Sequence, residues 1–229
     1  MEPKAVTPLL VRKFMDKLGD RVESTANRCH TVLSTVFGWG YERNMVLVNP
    51  VLGIKKHKEK PRSRNIEDWG FDLVYKIAQG NSYPWIAPMM EIAYLCRMRA
   101  IEVRSLTESD LLKEGALVER RKNSMNEITK WSPRLRKAIS DASKLRKSTT
   151  EDGLLFVSSS NGSIPKTNFD SAWRRIRTKA LENDLTESFN FHDLKAKRVT
   201  DHSEKASGHK SKKMQAVYDR KPNLIEATR

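Results

Sequence analysis

PWIAPMMEIAYLCRMRAIEVRSL, residues 84–106, is the stretch whose reading decides the fold. From Pro84 to Leu95 it is apolar almost all round, whereas a surface helix keeps one polar face. The pattern therefore predicts a buried central helix with other elements wrapped around it. The stretch then turns abruptly basic, with Arg97, Arg99 and Arg104 close behind. An arginine at the end of a buried helix must meet an anion or reach solvent, because an unpaired buried charge is costly. Glu102, three residues after Arg99, can orient it; the same spacing also suits an ordinary core ion pair.

Downstream, Ala116–Arg121 and Glu127–Trp131 read as two strands joined by the turn-forming run Asn123-Ser124-Met125-Asn126, a hairpin with Lys122 at its tip. Ser132-Pro133 signals a helix start, and Leu135, Ala138, Ile139, Ala142 and Leu145 share its apolar face. Leu154–Val157 reads as a brief strand, Asn161-Gly162 as a turn, and Phe169, Trp173, Ile176 and Ala180 as one side of another helix. Helices around a small antiparallel sheet make an α+β domain over residues 66–229.

Upstream, Phe71 to Gln79 reads as a short helix stopped by Gly80. Before it, KKHKEKPRSR (55–64) carries six Lys or Arg against one Glu and no apolar residue, which predicts an extended basic linker over 55–65. It reads equally as an interdomain strap along phosphates or as a plain solvated connection. Residues 1–54 form a small, partial all-α domain. Thr7-Pro8 starts a helix with Leu10, Val11, Phe14, Met15 and Leu18 on its apolar face, ended by Gly19. Cys29, Val32, Leu33, Val36 and Phe37 mark a second helix, broken between Gly40 and Asn49-Pro50.

The chain has 229 residues, a formal net charge of +15 and a sequence pI near 9.9, which favours a polyanionic partner, nucleic acid above all. No apolar run approaches the roughly 18 residues that span a bilayer, and the N-terminus lacks a secretory h-region, so a cytoplasmic protein without membrane contact is expected. Cys29 and Cys96 stand too far apart to suggest a disulfide scaffold or thiolate zinc site. His192, His202 and His209 lack metal-binding spacing, and no Gly-rich phosphate loop occurs, so neither metal nor cofactor is expected.

Chemistry concentrates in NFHDLKAKRVTDHSEKASGHKSKKMQAVYDR, residues 190–220. His192 is followed by Lys195, and His209 by Tyr218, amid positive charge. A phenol near pKa 10 is a poor nucleophile unless cations or a base stand beside it, and this stretch supplies both. Taken alone, a His-x-x-Lys pair on a helix is usually a solvated polar face, and a tyrosine so placed is usually a half-buried packing residue.

Taken in order, Arg99 with Glu102, Lys122, His192-x-x-Lys195, Gly208-His209 and Tyr218 resemble the tyrosine recombinases, and the surrounding text resembles a phage or prophage integrase. CRMRAIEVRSL is similar to the first-arginine box, ERRKNSMNEITKWSPRLRKAI to the hairpin lysine and its following helix, and FHDLKAKR with SGHKSKKMQAVYDRK to the remaining boxes. The resemblance implies a recombinase that cleaves and rejoins double-stranded DNA at attachment sites through a 3′-phosphotyrosine. In it, Arg99, Lys195 and His209 hold the phosphate, His192 manages a proton, Lys122 protonates the leaving 5′ oxygen and Tyr218 attacks. It further implies a DNA clamp built from both domains and a homotetramer in the synaptic complex. The likeness begins inside the core-binding domain, so an N-terminally shortened integrase is expected.

Two departures follow from the same comparison of motifs. Lys195 stands where the family usually has a second arginine, keeping the charge but losing the bidentate fork; Lys197 or Arg198 offers partial compensation, though the register favours Lys195. The 17-residue step from His192 to His209 is shorter than the family pattern, so a shortened intervening helix is expected. The rival expectation is a catalytically weak or inactive remnant that only binds DNA. A basic RNA-binding protein is a third reading, disfavoured because the aromatic residues lie at core-facing periods.

Overall fold

The computed structural model describes residues 2–59, 64–120, 126–146 and 148–201. The chain divides into two compact units, residues 1–62 and 63–229. In the first, α1 (Pro8–Gly19) packs on α2 (Glu23–Glu42). The Thr7 hydroxyl accepts the Leu10 N–H at 3.3 Å, and Pro8 occupies the first turn, where its missing N–H is not needed.

The core of this unit is small: Val11, Met15, Ala26, Phe37, Val46 and Val51, backed by Val6, Leu18, Leu33 and Ile54. Leu10 and Phe14, expected on the core face of α1, lie outside it, as do Val32 and Val36 of α2. With two helices to pack, each buries one narrow ridge; Leu33 and Phe37 of α2 turn inward as expected, joined by Ala26.

Residues 55–59 depart most from expectation. They form no helix or strand, yet they are tied to the helical pair by polar contacts. Asn27 is buried and brackets His57, its Oδ1 accepting the His57 N–H at 2.8 Å and its Nδ2 donating to the His57 carbonyl at 2.9 Å and to Glu59 at 2.7 Å. The His57 ring lies 3.0 Å from the Met15 carbonyl, directly over Gly19, where a Cβ would come within 2.6 Å of it. A segment with no apolar residue thus docks through backbone and amide groups, a signal that hydropathy does not carry.

The second unit is built around α4 (Ile86–Leu95). Ile86, Met89, Met90, Ile92 and Ala93 are fully buried, each large side chain contributing about 1.5–3 kcal/mol. Around α4 pack α3 (Asp68–Gln79), α5 (Ala100–Arg104), α6 (Pro133–Leu145) and α8 (Asp193–Asp201), while α7 (Lys166–Leu181) lies on α3. One charged residue of α4, Glu91, is held by Arg134 of α6 in a two-bond pair at 2.8 Å. Ser132 caps α6 through Leu135 N–H at 3.2 Å.

The sheet is the expected antiparallel hairpin, β1 (Gly115–Val118) and β2 (Glu127–Lys130), with Ala116 opposite Thr129 and Val118 opposite Glu127. Its ladder is shorter than the sequence suggests. Leu154–Val157 does not form a strand but makes single bridges from Leu154 to Thr107 and from Val157 to Ser163. Phe169, Trp173, Ile176 and Ala180 are buried on α7, and Phe191 meets the Phe169 and Trp173 rings edge-on at 4.9 and 5.3 Å. That aromatic box fixes the chain immediately before His192. The mostly helical unit with its small sheet is the α+β fold the pattern predicts.

Candidate active site

The site begins at the end of α4. Arg97 adopts a left-handed backbone, φ 55°, and this turn delivers Arg99 to the N-terminus of α5 in extended conformation. Glu102, one turn into α5, reaches back with both oxygens. Oε2 accepts the Arg99 N–H and Oε1 accepts Arg99 Nη1, each at 2.7 Å. The carboxylate therefore caps the helix and orients the guanidinium together.

Arg120, just past β1, enters from the hairpin. Its side chain is fully buried, and its fork donates to Glu102 Oε2 at 3.2 Å, to Glu127 Oε2 at 2.7 Å, and to the carbonyls of Arg97 and Cys96 at 2.6 and 3.1 Å. Arg97 also approaches Glu127, at 3.4 Å. Three guanidiniums thus share two carboxylates, leaving a positive excess. Strand alternation puts Glu127 on the same face as Thr129, opposite Val118, so it points into this network. The adjacent Cys96 thiol is pushed up to about 11 by burial, which keeps it protonated and unreactive.

α8 contributes the third part. Asn190 N–H donates to Asp193 Oδ2 at 2.9 Å, starting the helix, and Arg177 holds the Asn190 side chain at 2.8 Å. His192 precedes α8 and is exposed; Lys195, one turn later, is fully buried. Burial pushes the Lys195 ammonium down to about 7, and the charges of Arg120 and Arg99 push the same way against Glu102 and Glu127. Lys195 is therefore a neighbour of the arginine network. Lys197 is not: its Nζ donates to the Ile66 carbonyl at 3.0 Å and pairs with Asp68 at 2.5 Å and Asp201 at 3.0 Å. Those partners tie α8 to α3 and leave Lys195 as the α8 lysine beside the arginines.

Of the six residues expected to act, the structure brings Arg99 and Lys195 together and sets His192 at the head of the same helix. Lys122, His209 and Tyr218 lie outside the described residues. Arg120 and Glu127 were not anticipated. The signal available for them is period-two alternation, which carried past Val118 puts Arg120 on the buried face.

Two of the other four tyrosines are poor nucleophile candidates. Burial holds the Tyr94 hydroxyl above its ordinary value, Asp201 adding to the effect as its hydrogen-bond acceptor at 3.0 Å. Burial likewise raises Tyr75. Tyr83 accepts a bond from Arg175 at 2.6 Å, and Tyr41 is an exposed residue of α2. A raised phenol pKa is the opposite of what attack requires.

Comparison with solved structures finds the same fold in several proteins. Lambda integrase residues 75–356, seen as a dimer bound to a COC′ core site, matches with TM-score 0.81 at 16% identity, over 100% of this chain and 86% of that one. The Tn1549 transposon integrase, residues 82–397 with circular intermediate DNA, matches with TM-score 0.71 at 15% identity, over 98% and 83%. A lambda integrase tetramer bound to a Holliday junction gives TM-score 0.78 at 16% identity, over 98% and 68%. No curated protein matches in sequence. The sequence pattern of the phage integrase family does match, over residues 72–223, well over half the length. With Arg99, its Glu102 clamp and Lys195 all inside that span, the chain belongs to the phage integrase family.

Proposed function

We propose that this chain is a tyrosine-type site-specific recombinase that breaks and rejoins duplex DNA through a 3′-phosphotyrosine. The observation that carries the reading is the pre-built cationic cage in which Glu102 and Arg120 hold Arg99 beside Lys195. A phosphodiester repels an incoming phenolate, and negative charge grows on its non-bridging oxygens during displacement, so fixed cations at those oxygens lower the barrier.

In this mechanism the Tyr218 oxygen bonds to phosphorus while the bond to the 5′ oxygen breaks. His192 accepts or relays the phenolic proton, and Lys122 gives a proton to the departing 5′ oxygen. Arg99, Lys195 and His209 hold the non-bridging oxygens. The phosphotyrosine ester conserves the bond energy, so a 5′-hydroxyl from the partner strand reverses the step with no external energy source. The partner is attachment-site DNA, a reading supported by the DNA-bound lambda and Tn1549 proteins of the same fold, and the synaptic assembly is a homotetramer, supported by the lambda integrase tetramer on a Holliday junction.

Incubation with a nicked suicide duplex tests the reading. A denaturant-resistant adduct that disappears in Tyr218→Phe, with duplex binding retained, is the expected result. Binding without any adduct would leave a DNA-binding remnant as the correct reading, the one that Lys195 in place of an arginine favours.

A further inference from the structure

We infer that Arg120, to which the family resemblance assigns no role, is a positioning residue for Arg99, locking the turn between α4 and α5 so that the Arg99 guanidinium meets the scissile phosphate. This rests on the recombinase reading for its catalytic consequence, and on the geometry of the network for its physical basis.

Arg120 bonds three separate segments at once. Its two terminal nitrogens reach the carbonyls of Cys96 and Arg97, the Glu102 carboxylate in α5 and the Glu127 carboxylate in β2. The carbonyl at 2.6 Å belongs to Arg97, the left-handed residue whose backbone sets the direction of Arg99. A non-glycine residue holds that conformation only when its surroundings over-determine it. Arg120 supplies part of that restraint.

Arg120 also shares Glu102 with Arg99, drawing on Oε2 while Arg99 Nη1 holds Oε1. Glu127 balances Arg120 only in part, because Arg97 shares it at 3.4 Å, so Arg120 also draws on Glu102 and Arg99 keeps charge for a ligand. Lysine cannot reproduce this. Its ammonium retains the charge but presents one donor centre in place of a planar fork spanning four acceptors.

The test uses the full chain carrying Arg120→Lys, with Arg120→Gln as a second variant. Each is made in the parent and in an Arg99→Lys background. Single-turnover adduct formation on the suicide duplex is expected to fall about 100-fold in Arg120→Lys, the size of effect that a misplacement of about 1 Å produces. Duplex affinity should stay within about threefold, because one residue among many phosphate contacts carries little of it. In the Arg99→Lys background, Arg120→Lys should cost almost nothing further, since residues acting as a unit are non-additive. The same loss in both backgrounds would mark Arg120 as a stability residue and overturn the inference, as would full activity of Arg120→Lys. A parent that forms no adduct would sink the recombinase reading alone. The inference is then decided on the Arg99 Nε–H resonance of the free protein, which must move or broaden in Arg120→Lys; an unchanged resonance overturns it.

Discussion

Arg99 and Glu102 meet twice, the guanidinium on one carboxylate oxygen and the backbone N–H of the same arginine on the other, both at 2.7 Å. The carboxylate that begins α5 is thus the one that aims the arginine, and helix geometry and site geometry cannot be changed separately. Glu102→Gln is expected to destabilise the protein by about 3 kcal/mol in denaturant titration, because Arg99 and Arg120 lose their shared counter-charge in a buried setting. Adduct formation should be lost while duplex binding persists. A variant as stable and active as the parent would show that the carboxylate charge is dispensable.

The acid limb offers a second check on the same residue. Burial by itself would raise the Glu102 carboxyl, but the two bonds from Arg99 and the charge of Arg120 outweigh it and hold the group below the usual carboxylate range. A depressed carboxyl contributes stability that is complete above its unfolded value, about 4.3, and lost as pH falls through the lower folded value. The stability advantage of the parent over Glu102→Gln should therefore shrink below about pH 4. A constant difference down to strongly acidic pH would contradict the assignment.

Lys195 has the opposite linkage. With its folded pKa lowered to about 7, its burial is unfavourable below that value, and the penalty is relieved as pH rises from about 7 toward the unfolded value near 10.4. Lys195→Met is therefore expected to be more stable than the parent near pH 6 by a few kcal/mol, with the gap narrowing from about pH 7 toward pH 10. In cleavage, Lys195→Arg should keep its rate above pH 8 where the parent declines, because a guanidinium stays charged. Parallel pH–rate profiles for the two proteins would show that Lys195 does not titrate in this range.

Arg97 tests the strained turn. In Arg97→Gly and Arg97→Val the same side-chain contact to Glu127 is lost, so their difference isolates the backbone. Glycine accepts φ 55° freely, whereas a β-branched residue there is a genuine outlier. Unfolding free energies are expected to favour the glycine variant by about 2 kcal/mol. Equal stabilities would mean that the turn relaxes in solution.

In the first unit, Asn27→Leu should release residues 55–59. The three amide bonds to His57 and Glu59 disappear, leaving the His57 N–H and carbonyl without their partner, a loss of about 1–3 kcal/mol. Limited proteolysis after Lys55, Lys56 and Lys58 should accelerate several-fold. Unchanged cleavage would show that the segment is held by something else.

What the sequence revealed and what it hid separate along physical lines. The all-round apolar run of α4, the Thr7-Pro8 and Ser132-Pro133 starts and the period of α7 are local signals, and each appears in the structure where the pattern puts it. Arg99 with Glu102 was legible because three residues of helix bring them together. Arg120 was not, since its partners lie 18 and more residues back in the chain or across the hairpin. The burial of Lys195 and Lys197 in a polar helix, and the docking of residues 55–59 on Asn27, depend likewise on distant partners. Hydropathy read Leu10, Phe14, Val32 and Val36 as core, but a two-helix pack has room for one ridge from each helix.

The most direct measurement is the chemical identity of the attachment point. After reaction with the suicide duplex and digestion of the DNA, tryptic mapping should find a nucleotide remnant on Met214–Arg220, the peptide MQAVYDR, carried by Tyr218. A remnant on Tyr41, Tyr75, Tyr83 or Tyr94, or a cleaved duplex with no modified tyrosine, would contradict the account.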